Sequence, residues 1–244
     1  TKRYAGMSNL LQFSLKAKLI LWFMVVAITA QAQFKLFKGV DEVEISIGPS
    51  LVSLYGENII SDLRQPKIGY GVRVGLFYNL KEELSLSANL LYQRKGIKTR
   101  YNTSYYDPSI DSTNCQCTTS LGTVENDANL DYLISEIRIR FFIGTTNFFV
   151  ESGAFLSYLL KAQAVRKDLW NNSTYYSDIK NSFNSIDAGI TLSLGYQIKI
   201  KEDINLVILI MDNYGLMNVN NSTTIQGRSN TNVFSFQIGL NYKL

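Results

Sequence analysis

The sequence predicts an all-β protein, an eight-stranded antiparallel up-and-down transmembrane β-barrel after an N-terminal signal peptide. Three observations predict this fold class. Segments with apolar residues at every second position recur along the chain, the connections between them alternate between short and long, and a basic, apolar leader precedes them. The composition agrees, because the chain has 15 Tyr and 13 Phe but only three Pro.

Residues 1–32 are interpreted as upstream residues and a cleavable secretory signal peptide. Lys16 and Lys18 supply the basic start, and the apolar run LILWFMVVAIT covers 19–29. This run is too short for a helix that must cross ~30 Å of hydrocarbon, which takes roughly 20 residues. The small-x-small triplet at 30–32 predicts cleavage before Gln33, so that 33–244 form the mature barrel.

The charge balance of the barrel gives no argument for nucleic-acid binding. The chain has 24 Lys and Arg against 20 Asp and Glu, and the surplus lies entirely before residue 33, at Lys2, Arg3, Lys16 and Lys18. The remaining body is neutral, which predicts no nucleic-acid partner.

Eight strands are predicted in the body. They cover 43–55, 67–79, 83–97, 129–143, 147–162, 184–199, 203–217 and 232–243. The connections at 80–82, 144–146 and 200–203 are short, whereas those at 56–66, 98–128, 163–183 and 218–231 are long and polar. Short turns at one end and long loops at the other are typical of a transmembrane barrel with its turns in the periplasm.

The segment NFFVESGAFLSYLLK at 147–161 indicates whether the apolar face of a strand contacts lipid or water. Phe148, Val150 and Leu156 share one face, while Glu151 and small residues share the other. A small lumen requires small and polar side chains, so the apolar face is predicted to contact lipid. In the strand at 203–217 both faces are apolar, which predicts either an apolar patch in the lumen or a partner contact.

Aromatic residues on the lipid face are predicted to form two belts at the membrane interfaces. The belt residues are Tyr78, Phe141, Phe148, Tyr196 and Tyr242 at the periplasmic ends, and Tyr70, Tyr92 and Tyr158 at the outer ends.

A charge network is predicted in the lumen. Its residues are Glu136, Arg138, Arg140 and Glu151, with Arg73 and Lys161 further away. The tight turn at 144–147 sets Arg140 opposite Glu151, and a slip of two residues would bring Arg138 there instead. Such a network either fixes and fills the lumen or forms an ion-selective constriction, and the narrow bore of eight strands favours the first.

The chain contains no histidine, so a Ser-His-Asp site is excluded and no enzyme activity or cofactor is expected. The acids Glu44, Glu136, Glu151 and Asp187 lie among basic residues and do not suggest a catalytic pair. Cys115 and Cys117 are compatible with a strained local disulfide, an intermolecular disulfide or two free thiols. A metal site would need further His or Cys ligands.

The segments YLISEIRIRFF (132–142) and NFFVESGAFLSYLLKA (147–162) resemble the PorT-like outer-membrane β-barrel proteins of Bacteroidetes-type bacteria. Weaker similarity covers LSANLLYQRKGIK (86–98), DAGITLSLGYQI (187–198), NYGLMNV (213–219) and IGLNYKL (238–244). Two departures are Glu136, where the family usually has proline, and Leu244, where it often has a terminal aromatic residue.

The resemblance implies a barrel in the cell outer membrane, inserted by the barrel-assembly machinery and surrounded by outer-membrane lipid. It also implies an accessory role in a secretion system. We therefore expect a non-enzymatic barrel that acts through its surface loops or a protein partner at these loops. The alternatives are a narrow pore or small-ligand carrier, and a soluble periplasmic barrel.

Overall fold

In the computed structural model of the chain, side chains alternate between inward and outward positions along most of each strand. The structure describes residues 39–56, 64–106, 119–169, 172–221 and 228–244, without the side chains of 64, 102–106 and 119–122. The predicted signal peptide, Cys115 and Cys117 lie outside these ranges. Within the described ranges, no helix is long and apolar enough to span a membrane.

Nine strands are described within the unit Val40–Leu244. They are β1 (Glu42–Tyr55), β2 (Arg64–Lys81), β3 (Leu84–Tyr106), β4 (Thr119–Phe142), β5 (Phe148–Asp168), β6 (Ser173–Asp178), β7 (Ile186–Lys199), β8 (Ile204–Gly215) and β9 (Asn230–Lys243). A single 3₁₀ turn, Lys180–Ser182, follows β6.

Eight of these strands form a closed antiparallel ring. Its order is β4-β3-β2-β1-β9-β8-β7-β5, and the pairing of β4 with β5 closes it. The first and last strands meet in register, with Glu42 opposite Lys243. Closure pairs the backbone of every wall strand on both sides, as a strand in lipid requires. This confirms the predicted eight-stranded up-and-down barrel, and β6 is an additional strand paired with β5.

The barrel has two different ends. The turns at 82–83, 143–147 and 200–203 define the short-turn end, and Gly144 adopts a left-handed φ of 57° in one of them. The opposite, long-hairpin end carries the extended β3–β4 and β5–β6 hairpins.

The two longest predicted loops are largely strand. β3 and β4 pair continuously from Leu84 opposite Phe141 up to Tyr106 opposite Thr119, although 98–128 was predicted as loop. β5 and β6 likewise occupy much of the predicted loop 163–183. The prediction was wrong because a hairpin in water needs no apolar face, so the alternation that identifies a lipid-facing strand disappears there.

The outer wall of the ring is apolar and the lumen is filled. Large apolar side chains such as Ile137, Leu156, Ile190 and Leu192 are more than half exposed on the outside. Inside, the side chains of Val207, Leu209 and Met211 join a buried apolar cluster with Leu91, Ile134 and Phe155. The second apolar face of β8 therefore packs in the lumen.

Candidate functional site

Six charged side chains meet inside the barrel, and we call them the lumen charge cluster. They come from β1, β2, β4 and β5 and are each at most 2% exposed: Glu44, Arg73, Glu136, Arg138, Arg140 and Glu151. Alternation places them there, because each occupies an inward position of its strand. Three carboxylates and three guanidinium groups make the cluster neutral as a whole.

Glu151 lies at the centre of the cluster. Its carboxylate accepts hydrogen bonds from Arg140 Nε at 2.7 Å, Arg138 Nη1 at 3.0 Å and Ser193 Oγ at 2.9 Å. Arg73 Nη1 lies 3.7 Å from the same carboxylate. The predicted register is confirmed, since Arg140 is directly opposite Glu151 and Arg138 is opposite Gly153. Both arginines that the sequence offers as partners bind the same glutamate.

The other two acids occupy the sides of the cluster. Glu44 accepts a hydrogen bond from Arg140 Nη2 at 2.8 Å and also pairs with Arg73. Glu136 pairs with Arg138 and accepts a hydrogen bond from Asn213 Nδ2 at 3.3 Å. Each carboxylate therefore has at least one arginine partner, which is the arrangement that makes buried charges tolerable.

Aromatic rings hold the guanidinium of Arg140 from two sides. Its Cζ lies 4.1 Å from the ring centroid of Phe77 and 4.0 Å from that of Phe149. Gly195 leaves room for Phe149, since a Cβ at this position would lie 2.1 Å from the ring atom Cζ. The position of Arg140 is thus fixed by stacking as well as by its two acids.

A second buried ion pair lies nearer the long-hairpin end. Lys95 Nζ donates to Asp187 Oδ2 at 3.2 Å, and Thr231 Oγ1 donates to the same oxygen at 2.7 Å. The ammonium also lies 4.7 Å from the ring centroid of Tyr132 and 5.5 Å from that of Phe155. Sequence reasoning did not place Lys95 in the lumen, although it continues the inward alternation of Leu91 and Gln93.

Two of the residues predicted in the lumen, Arg73 and Lys161, lie in positions other than those expected. Arg73, expected at a distance, is inside the charge cluster. Lys161 was predicted to face the lumen and does not, because its side chain is exposed. Asp131 pairs with Lys161 and Tyr132 pairs with Leu159, so Leu160 is an extra residue in β5. This β-bulge reverses the alternation and turns Lys161 to the outer face.

The eight predicted belt aromatics all lie on the outer face of the ring. Some are paired: the ring centroids of Tyr70 and Tyr92 lie 6.2 Å apart toward the long-hairpin end, and those of Phe148 and Tyr196 lie 4.5 Å apart at the short-turn end. Phe141, Tyr158 and Tyr242 are exposed, whereas Tyr78 is half-buried.

Sequence comparison identifies a family. The model of the outer membrane protein beta-barrel domain family matches residues 29–223. A comparison with curated proteins gave no match.

Several solved outer-membrane structures are similar to the chain. Ail, the attachment invasion locus protein of Yersinia pestis, is 11% identical, with 84% of this chain and 99% of that chain covered and a TM-score of 0.39. Neisserial surface protein A is 15% identical, with coverages of 83% and 96% and a TM-score of 0.40. The outer membrane protease OmpT of Escherichia coli is 10% identical, with coverages of 84% and 97% and a TM-score of 0.39.

Proposed function

Because the chain belongs to the outer membrane protein β-barrel family and is located in the outer membrane, we propose that it is a non-enzymatic barrel with a closed lumen. It acts through the hairpins at its long-hairpin end or through a partner that binds them. The observation that carries this proposal is the neutral, buried charge cluster that crosses the lumen.

The lumen contents support a structural role for the charges. Glu151 joins β5 to the two arginines of the adjacent β4, and Arg140 joins β4 to Glu44 of β1, three strands away in the ring. The ion pairs therefore link neighbouring strands and also strands that are not hydrogen-bonded to each other. An ion-selective constriction would need charges that face an open path, whereas these side chains are at most 2% exposed.

The residue types support a non-enzymatic role. The sequence contains no histidine, which removes the usual general base of hydrolytic sites. The lumen acids Glu44, Glu136 and Glu151 each have an arginine partner, and Asp187 is paired with Lys95. A general acid or base in the lumen would have to be released from these ion pairs before it could act.

The long-hairpin end offers the surface for a partner. A tilted transmembrane strand needs ≈ 9–11 residues, whereas β3 has 23 and β4 has 24. The additional length carries this hairpin beyond the membrane. With a signal peptide at 1–32, the N-terminus of the barrel lies in the periplasm, so the short turns face the periplasm and the hairpins face outward. The resemblance to PorT-like proteins supports an accessory role in secretion and insertion by the barrel-assembly machinery.

Conductance in planar bilayers tests the closed lumen. We expect no steady openings from the purified barrel. Its insertion is checked separately, by co-flotation with lipid vesicles and by heat-modifiable gel migration. Steady openings of the unmodified protein would reject the closed lumen in favour of a narrow pore.

A shortened hairpin tests the site of action. Ile97 and Ala128 face each other across β3 and β4, so residues 98–127 can be replaced by a two-residue Asn-Gly turn. In cells that lack the protein, this variant should insert normally and fail to restore the phenotype, including any secretion defect. Full complementation by the shortened barrel would show that the β3–β4 hairpin is not the functional surface.

A further inference from the structure

Charged side chains form a row across the outer face of the barrel, which we call the interfacial row. Arg94 of β3 is opposite Asp131 of β4, and Asp131 is opposite Lys161 of β5. Lys180, in the 3₁₀ turn after β6, extends the row, since its Nζ donates to the carbonyl of Leu160 at 3.2 Å. Adjacent strands are ≈ 4.8 Å apart, so Arg94 and Lys161 are separated by about 10 Å across the wall.

The interfacial row lies at the edge of the apolar band. The outward positions from Leu133 in β4 to Ile143, the residue after β4, are mainly apolar. These ten residue steps correspond to ~33 Å along the strand, or ~25 Å along the barrel axis at a tilt of about 40°. This height equals that of the lipid-facing band of an outer-membrane barrel. Beyond the row, β4 continues with Asn129 and Asp127, which are polar. The row is therefore level with the lipid headgroups.

The row carries excess positive charge. Asp131 binds Arg94 through two hydrogen bonds, from Nε at 2.6 Å and Nη2 at 3.0 Å, and so neutralises that arginine. Lys161 is exposed and forms no ion pair with any side chain in the described part of the chain. The Lys180 ammonium lies 5.8 Å from the ring centroid of Tyr158. The exposed Asp178 carboxylate also lies here and accepts a hydrogen bond from the backbone N–H of Lys180 at 2.8 Å. Arg94, Lys161 and Lys180 against Asp131 and Asp178 leave a net positive charge, and the two ammonium groups can bind an anion at this level.

We propose that Lys161 and Lys180 bind the phosphate groups of a phosphorylated outer-leaflet lipid of the lipid A type. The acyl chains of this lipid pack along Leu156 and Tyr158, which are 57% and 51% exposed directly below the row. The lysines lie directly above the apolar band, so a molecule with both a phosphate group and acyl chains can contact both surfaces at once. This favours a lipid over a soluble anion. Assignment to the outer leaflet rests on the orientation proposed above.

Lipid binding to the purified mature barrel in detergent tests this site. Bisphosphorylated lipid A is titrated by native mass spectrometry against the unmodified protein and a Lys161→Gln/Lys180→Gln variant. Each lysine near a lipid surface contributes about fivefold in affinity, so the double variant should bind about 25-fold more weakly. The charge-matched control, Lys199→Gln/Lys243→Gln, changes the short-turn end and should bind as the unmodified protein does.

The lipid probes separate the phosphate from the acyl chains. Dephosphorylated lipid A should bind the unmodified protein and the Lys161/Lys180 variant equally, and inorganic phosphate should not compete. Equal binding of bisphosphorylated lipid A to both proteins, or an equal loss in the control, would overturn the proposal. If the double variant does not fold, Lys161→Gln alone should show the expected fivefold loss, and an unchanged affinity would overturn the proposal. The measurement is made in detergent, so a wrong orientation or an open lumen would not alter it.

Discussion

The substitution Glu151→Gln tests the charge cluster at its centre. It removes one negative charge from a neutral group and leaves Arg138 and Arg140, which donate to this carboxylate at 3.0 Å and 2.7 Å, with a surplus positive charge. Both guanidinium groups are at most 1% exposed, so water does not screen the surplus. We expect the free energy of unfolding to fall by roughly 3–5 kcal/mol, which is typical when one member of a buried ion pair is removed.

A double-mutant cycle isolates the interaction from other losses. Arg140→Gln should also be costly, because it leaves both Glu151 and Glu44 with one partner fewer. The double variant Glu151→Gln/Arg140→Gln restores neutrality, so its cost should fall below the sum of the single costs by about 1–3 kcal/mol. Ser193→Ala removes one hydrogen bond to the same carboxylate and should cost only about 1–2 kcal/mol.

The assay is urea unfolding in lipid vesicles, with the folded fraction measured by heat-modifiable gel migration. The same cycle is repeated with Arg138→Gln. Costs that add within about 0.5 kcal/mol for both arginines would refute a coupled cluster and the register that places it in the lumen.

Three further predictions concern the wall, the packing of the lumen and the leader. Leu192, which is 63% exposed on the outer face, should tolerate Arg only at a cost of ~2–4 kcal/mol in bilayers, whereas Lys199→Arg at the short-turn end should be neutral in the same unfolding assay. Gly195→Ala should cost about 1–3 kcal/mol by overpacking, since its Cβ would contact the Phe149 ring, and Phe149→Leu in the same chain should recover part of this loss. N-terminal sequencing of the membrane form should begin at Gln33, and an intact leader would contradict the predicted cleavage.

Much of the barrel wall could be predicted because lipid and a narrow lumen impose opposite requirements on neighbouring residues. In β5, Phe148 and Val150 face outward while Phe149 and Glu151 are buried, as alternation predicts. The tight turn after β4 then sets the register, and Arg140 is found opposite Glu151. A pattern of period two together with a short turn is sufficient to place these side chains.

Other contacts could not be predicted, because they join strands that are distant in sequence. The sequence shows Glu44 only as one acid among four, since nothing local indicates that Arg140, 96 residues away, lies beside it. Lys95 and Asp187, 92 residues apart, are a similar case. Inward alternation places each of them in the lumen, but the pairing depends on the curvature and stagger of the closed ring.

The bulge at Leu160 determines whether the Lys161 side chain faces the lumen or the outside of the barrel. Leu159 is fully buried and Ala162 is 1% exposed, whereas Leu160 and Lys161 between them both face outward. If β5 continued in regular alternation through Leu160, Lys161 would point into the lumen and place an additional cation among balanced charges. Deletion of Leu160 instead brings Lys161 directly after the inward Leu159, so the bulge is removed and Lys161 stays on the outer face.

We therefore expect the Leu160 deletion to fold and to lose less than about 1.5 kcal/mol in urea unfolding, the loss of its lipid-facing side chain being offset by a regular ladder. Deletion of Leu156 is the matched control, since it removes the same residue type from a regular part of β5 and reverses the facing of at least residues 157–160, which turns Tyr158 and Leu160 into the lumen. That control should fail to form a heat-modifiable barrel. Equal damage from the two deletions would show that β5 contains no bulge at Leu160, and Lys161 would then belong to the lumen, as simple alternation predicts.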